Sequence, residues 1–377
     1  MKLRSIPFTL AIGLFAAMFA SESNAACVSN PPNQSNASFP SSLTGKLVYH
    51  SYVSYGDGTS QLFIYDFSAR TLTQVSNASW GITDPMNASF SPDGKWLLFM
   101  GIQNNAWNVF MWPTNGSHAP YSLTNSTGAT RNEDPKFSPD GSTVIFKQNS
   151  ANVMQGTLSY PSGIPQFTSV INITNNKTQD SMPYMTPDGT KLLFSEGTGG
   201  ANLGLYEETI ATGATVPFDA VSGISTYYPV VRADGTVFYT KWNNASQQLD
   251  QLYTKTNPSD TPNQLSINDC ISNNDDAGPV NGTNYVFFSS TTAGGYQLYL
   301  GDVSTGKRWS LTQFGVNSDT TKAKLGSSYY SGTPASSTSG GSTSGSTGGT
   351  SGSTTGSTTG SSTGGGSSGS SRPRHRG

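Results

Sequence analysis

The chain has 377 residues, a formal net charge of −2 and only 11% charged side chains, where an average soluble protein has roughly 25%. Near-neutral charge excludes the basic footprint of a nucleic-acid or anionic-membrane binder. With two cysteines and three histidines, and no Cys-x-x-Cys or His-Glu-x-x-His pattern, the chain also lacks the usual metal-clustering motifs.

Residues 1–26 read as an export signal. Lys2 and Arg4 form a basic start, Ile6 to Ala20 an apolar stretch, and Ser23-Asn-Ala25 or Asn24-Ala-Ala26 a small-residue cleavage site. The apolar stretch is too short to span a bilayer, and no later segment approaches the ~20 apolar residues a span needs. The expected product is soluble and monomeric, secreted or periplasmic. Residues 27–44 form an N-terminal extension. In an oxidising compartment Cys27 and Cys270 most simply pair as a disulfide, the alternatives being a lipid-modified Cys27 or free thiols.

From residue 45 to 330 one unit repeats. Phe90-Ser-Pro-Asp-Gly94, Phe137-Ser-Pro-Asp-Gly141 and Met185-Thr-Pro-Asp-Gly189 place their Asp residues 47 and 48 apart, and weaker copies follow at Asp234-Gly235 and Asn281-Gly282. Each turn leads into an apolar run, and these runs end at Tyr49, Phe99, Phe146, Phe194, Tyr239 and Phe287. Alternating strands follow, such as Gln61–Tyr65, Asn108–Trp112 and Gln297–Leu300, then outer strands such as Leu72–Val75 and Val170–Ile173. A period of about 40–50 residues built of strand–turn–strand units predicts an all-β fold, a six-bladed β-propeller. The first repeat has no innermost strand before it. Thr321 to Leu325 is expected to supply one and close the ring, because Phe314–Asp319 resembles Trp80–Asp84, the lead-in to an innermost strand. The turns themselves have a local cause: Pro presets φ, Asp bonds its own backbone and Gly takes the left-handed conformation.

Residues 331–377 are almost wholly Gly, Ser and Thr before a basic end, Arg372-Pro-Arg-His-Arg-Gly377. Such a tail buries no core and is expected to be disordered, with an r.m.s. span of roughly 35 Å.

The repeated Phe-Ser-Pro-Asp-Gly turn followed by a strand resembles the WD40-like (PD40) repeats of TolB-type six-bladed propellers, from about Gly45 to Leu325. The resemblance implies the fold more than an activity, since these repeats occur in periplasmic scaffolds, peptidase propellers and carbohydrate-active enzymes. About 18 residues separate Cys27 from Gly45, too few for the α/β domain that precedes the propeller in TolB.

In a propeller, the loops leading into innermost strands and out of second strands share the face around the central channel. That rule assembles Asp84, Asp134, Asp180, Asp275, Asp276 and Asp319 with His50, Lys147, Glu196, Lys241 and Trp242, flanked by Trp80, Arg131, Glu133, Tyr227 and Tyr228. Carboxylates, a few bases and aromatic faces converging in this way can bind a cation or a sugar. The chosen ligand-binding set is Asp84, Arg131, Asp134, Lys147, Asp180, Tyr228, Trp242 and Asp276. His50 is a weak candidate for a catalytic base. No cofactor is expected, although the oxygens of Asn273-Asn-Asp-Asp276 could hold Ca²⁺. The functional expectation is an exported binding module for a cell-surface or extracellular glycan or protein. The alternative is a polysaccharide-active enzyme, a lyase on a uronate polymer, with His50 or a Tyr as base.

Overall fold

In the computed structural model the described residues are 33–332, apart from 150–151, 175–177 and 198–201. The expected export signal, Cys27 and the tail beyond Gly332 lie outside them. The described chain forms six four-stranded antiparallel sheets, the blades of a propeller. In blades 2 to 6 the innermost strands are Thr83–Phe90, Asn132–Phe137, Gln179–Met185, Thr226–Val231 and Asn274–Pro279. Their second strands are Trp96–Gln103, Thr143–Gln148, Lys191–Gly197, Val237–Trp242 and Tyr285–Ser290. These run two to four residues beyond the apolar runs read from sequence.

Blade 1 takes its innermost strand from the far end of the described chain. Ala323–Tyr330 pairs antiparallel with Lys46–Tyr52, Lys46 opposite Tyr330 and Tyr52 opposite Ala323. The expected segment, Thr321 to Leu325, therefore begins too early and stops too soon. Asp319 caps a turn at this point, accepting from Thr321 N at 3.1 Å, and pairing starts only after it. The predicted likeness of the two lead-ins holds. Short 3₁₀ segments at Ala78–Trp80 and Leu311–Phe314 each end on a left-handed glycine, Gly81 and Gly315.

The second strands are apolar on both faces because each blade is sandwiched between two others. Leu47 and Tyr49 face the cluster shared with Phe287, Leu298 and Leu300 of blade 6. Val48, pointing the other way, joins Leu97, Phe99 and Phe110 of blade 2. Such runs therefore lack alternation without being helical. Truncating a fully buried ring such as Phe99 to alanine should cost about 3–5 kcal/mol.

The Pro-Asp-Gly turns join innermost to second strands at the end of the ring opposite the channel mouth. Ser91 Oγ donates to Asp93 Oδ1 at 2.6 Å, Lys95 N donates to the same oxygen at 3.1 Å, and Gly94 has φ +70°. Ser138 with Asp140, and Thr186 with Asp188, repeat the arrangement at 2.6 Å. These hydrogen bonds hold the Asp93 and Asp140 carboxyls below their ordinary range despite the opposing effect of burial. The segment before blade 1 lies on the outside of the ring, where Phe39 packs against Phe67, Trp309 and Phe314.

Candidate ligand-binding mouth

Strand register fixes the mouth. Asn132 lies opposite Gln148, Gln179 opposite Gly197 and Thr226 opposite Lys241, so innermost strands begin where second strands end. Within each innermost strand the register breaks, and a residue with positive φ occupies the break; blade 2 breaks twice, first at Asp84 (φ +49°) and again at Asn87. At the shared bulge position around the ring stand Gly326, Asn87, Asp134, Met182, Tyr228 and Asp276, with φ between 51° and 61°. Five of the six are not glycine, and for methionine and tyrosine this conformation is costly. Strain repeated at one structural position marks a place where side-chain direction is being set.

Four of the six ring residues are joined in pairs by hydrogen bonds between blades. Gly326 N donates to Asp276 Oδ2 at 2.8 Å, linking blades 6 and 1. Asn87 Nδ2 donates to Asp134 Oδ1 at 2.8 Å, linking blades 2 and 3. The remaining two are Met182, which is buried, and Tyr228, whose ring meets Tyr227 edge-on at 5.5 Å. Lys136 stands two residues below Asp134. Burial lowers its ammonium pKa, while the carboxylates of Asp134 and Asp276 act in the opposite sense. Tyr184 occupies the matching position one blade on, and burial pushes its hydroxyl up to about 12.

Behind Asp276 lies a buried acidic group. Tyr227 Oη donates to Asp250 Oδ1, and Tyr296 Oη donates to Asp250 Oδ2 at 3.3 Å. Burial pushes Asp250 up to about 6, opposed by these hydrogen bonds and one from Trp242, and reinforced by the charge of Asp276. Asp275 accepts from Thr240 Oγ1 at 2.5 Å and from Asp276 N at 2.7 Å, and burial drives it well above the carboxylate range.

The sequence-derived set divides accordingly. Asp134, Tyr228 and Asp276 belong to the ring, and Trp242 is a neighbour of Asp250. Asp84 is buried and closes the loop of the preceding blade, accepting from Gly58 N at 3.0 Å and Ser60 N at 3.3 Å. Fully buried Glu133 holds two cations of its blade, Arg131 at 2.7 Å and Lys147 at 3.7 Å. Asp180 is buried and accepts from Thr178 Oγ1 at 3.4 Å. Lys241 turns away between blades, to Asp219 at 3.1 Å. His50 is buried, lies 5.5 Å from Tyr52 in a near-parallel stack and accepts from Asn87 N through Nδ1 at 3.4 Å. Asn274–Pro279 is a strand rather than a cation loop, and Asn273 Oδ1 accepts from Asp250 N at 3.0 Å. Among the described residues no group of three His, Cys, Asp or Glu is placed to hold a metal ion.

Sequence reasoning missed Asn87, Lys136, Met182 and Asp250. The first three lie within the innermost strands rather than in the loops that lead into them, and Asp250 opens a third strand.

No family model matches the chain. A curated relative, an uncharacterised protein of Agrobacterium fabrum (strain C58), is 30% identical over 105 residues, 28% of this chain and 33% of its own length. The chain is similar in fold to TolB from Acinetobacter baumannii, with TM-score 0.55 and 16% identity over 77% of this chain and 67% of that one. It is also similar to Kuenenia stuttgartiensis hydrazine synthase, with TM-score 0.59 and 13% identity over 77% of this chain and 47% of that one. A chain of a nidogen/laminin complex matches with TM-score 0.54 and 8% identity, over 76% of this chain and 98% of its own length. The chain thus spans a third of its curated relative and about half of the hydrazine synthase chain. In fold it is a TolB-like β-propeller.

Proposed function

We propose that this protein is an exported binding module, secreted or periplasmic, whose channel mouth takes a cell-surface or extracellular glycan or protein segment. One observation carries the reading: the ring of strained residues that joins Asp276, Gly326, Asn87 and Asp134 on one side and leaves Met182 and Tyr228 on the other. Carboxylate and amide groups beside an aromatic ring match hydroxyls and an apolar face, the two surfaces of a pyranose or of a polar peptide. Of the candidate bases His50 is already occupied by Asn87 N–H. A uronate lyase would have to turn instead to a mouth tyrosine such as Tyr228, or to Lys136, whose neutral amine burial favours.

Calorimetry of the full chain against neutral and uronate-containing oligosaccharides and against envelope-protein extract fractions tests the reading. Binding weakened at least tenfold by Asp134→Asn or Tyr228→Ala, with unchanged melting, is the expected result. Binding indifferent to both substitutions would remove the mouth from consideration. New absorbance from an unsaturated uronate product, lost in Lys136→Met, would replace binding with lyase chemistry.

A further inference from the structure

The outer rim of blade 3 carries a feature unrelated to the mouth. Its outermost strand, Gln166–Asn172, is seven residues long, uncharged and free of proline. Among the described residues no strand pairs with its far side. The other outer edges are blunted, as edges of soluble sheets usually are. Tyr121–Ser122 and Asn263–Gln264 are two residues each, and Thr71–Gln74 is four. Ala214–Asp219 contains Pro217 and ends on a charge, while Lys307–Ser310 carries two cations. That last edge is also covered by the protein's own chain: Asn33 bridges Arg308 in parallel, and Gln34 N donates to Arg308 O at 2.7 Å.

The free groups on blade 3 can be assigned. Ile173 N donates inward to Val153 O at 2.9 Å, so antiparallel alternation leaves the N–H groups of Val170 and Asn172 facing outward. A bulge at Thr168 precedes this stretch. Alongside the edge runs a cleft of about 540 Å³, bounded across the gap by Ser122 to Thr127 of blade 2 and lined by no charged side chain. It exists because the outer strand of blade 2 stops at Ser122. Exposed apolar side chains gather on the same hairpin: Tyr160, Ile164 and Ile171, the last 58% exposed.

We propose that blade 3 takes an extended, uncharged segment of a partner protein as a fifth strand. An open ladder calls for a polypeptide backbone, the neutral cleft for uncharged alternate side chains, and the exposed apolar residues for a partner that covers them. The cover that Asn33 and Gln34 give blade 6 shows the same device within this molecule.

The test uses the full chain and two labelled heptapeptides, one alternating Thr and Val, the other with Lys at three of the Thr positions. The neutral peptide should bind at least tenfold more tightly by anisotropy and slow amide exchange at Val170 and Asn172. Asn172→Pro, which removes an outward N–H beneath an exposed side chain, and Ile171→Lys should each abolish binding with melting unchanged, whereas Asp134→Asn in the mouth should leave it intact. Equal binding of both peptides, protection elsewhere, or full binding by Asn172→Pro would overturn the proposal. So would a dimer in light scattering that Asn172→Pro dissolves, which would give the edge to a second copy, or protection of the same amides by an oligosaccharide.

Discussion

Gly326, on the strand that closes the ring, donates its backbone N–H to Asp276 Oδ2 on blade 6 at 2.8 Å. The contact that completes the propeller thus also completes the polar half of its mouth, and closure and site geometry are one arrangement.

Gly326 is the ring position least open to substitution. Its φ is +61°, and a Cβ there would come within 2.7 Å of the His50 ring and 3.2 Å of Asn87 Oδ1. Left-handed backbone costs a residue with a Cβ about 1–2 kcal/mol before any clash. Gly326→Ala should therefore lower the melting temperature by several degrees and weaken ligand binding together. An unchanged melting curve would show that His50 and Asn87 do not crowd this position.

Ending the chain at Lys322 removes the closing strand whole. Val48 then loses its inner ladder partner, and the Phe287 ring loses Tyr329, stacked on it at 5.5 Å. Circular dichroism should show loss of a single cooperative transition. The milder Tyr329→Ala, which also loses the hydroxyl's bond to Thr44 O, should cost about 1–3 kcal/mol. A truncated chain melting like the full one would mean that the ring closes without Ala323–Tyr330.

What could be read from sequence followed from how locally each feature is encoded. The Pro-Asp-Gly turns and double-faced apolar runs were visible because four or five consecutive residues determine them. Asn152–Ser159 gave no strand signal, since Gly156 interrupts it, yet Gly156 is required: a Cβ there would lie 2.4 Å from the Phe167 ring. Ala214–Asp219 was hidden by its Pro217, which an outer strand tolerates. In the mouth, the loop rule found Asp134, Tyr228 and Asp276 but also admitted Asp84 and Lys241. Asp84 and Asp134 each precede a proline, sit at a register break and have positive φ, yet Asp84 accepts from Gly58 N of the preceding blade while Asp134 accepts from Asn87 Nδ2. No local pattern separates the two.

Asp250 makes stability depend on pH in a defined direction. Its folded pKa, about 6, lies above the unfolded value near 3.8, because burial disfavours its charge. The native state therefore holds the proton more tightly. The associated stability is fully present below about pH 4 and is lost as pH rises through 6. Denaturant titrations from pH 4 to 7 should show wild type losing a few kcal/mol that Asp250→Asn does not lose. Parallel curves for the two proteins would place this carboxyl in water rather than among Tyr227 and Tyr296.

The expected bridge between Cys27 and Cys270 has one end outside the described residues, and the described part supplies a reason to test it. Asn33 and Gln34 lie along the strand of Arg308, whose guanidinium holds Asp269 at 3.0 Å, and Cys270 is the next residue. Only five residues lie between Cys27 and Asn33 in sequence, and Asn33 is docked on the strand that neighbours Cys270. Peptide mapping of the exported protein without reductant should recover the two cysteines in one cross-linked fragment. Reduction should then lower stability by about 2–5 kcal/mol, chiefly by releasing the N-terminal segment from blade 6. Both cysteines alkylating freely in the unreduced protein would refute the bridge, and an acyl mass on Cys27 would replace it with a lipid anchor.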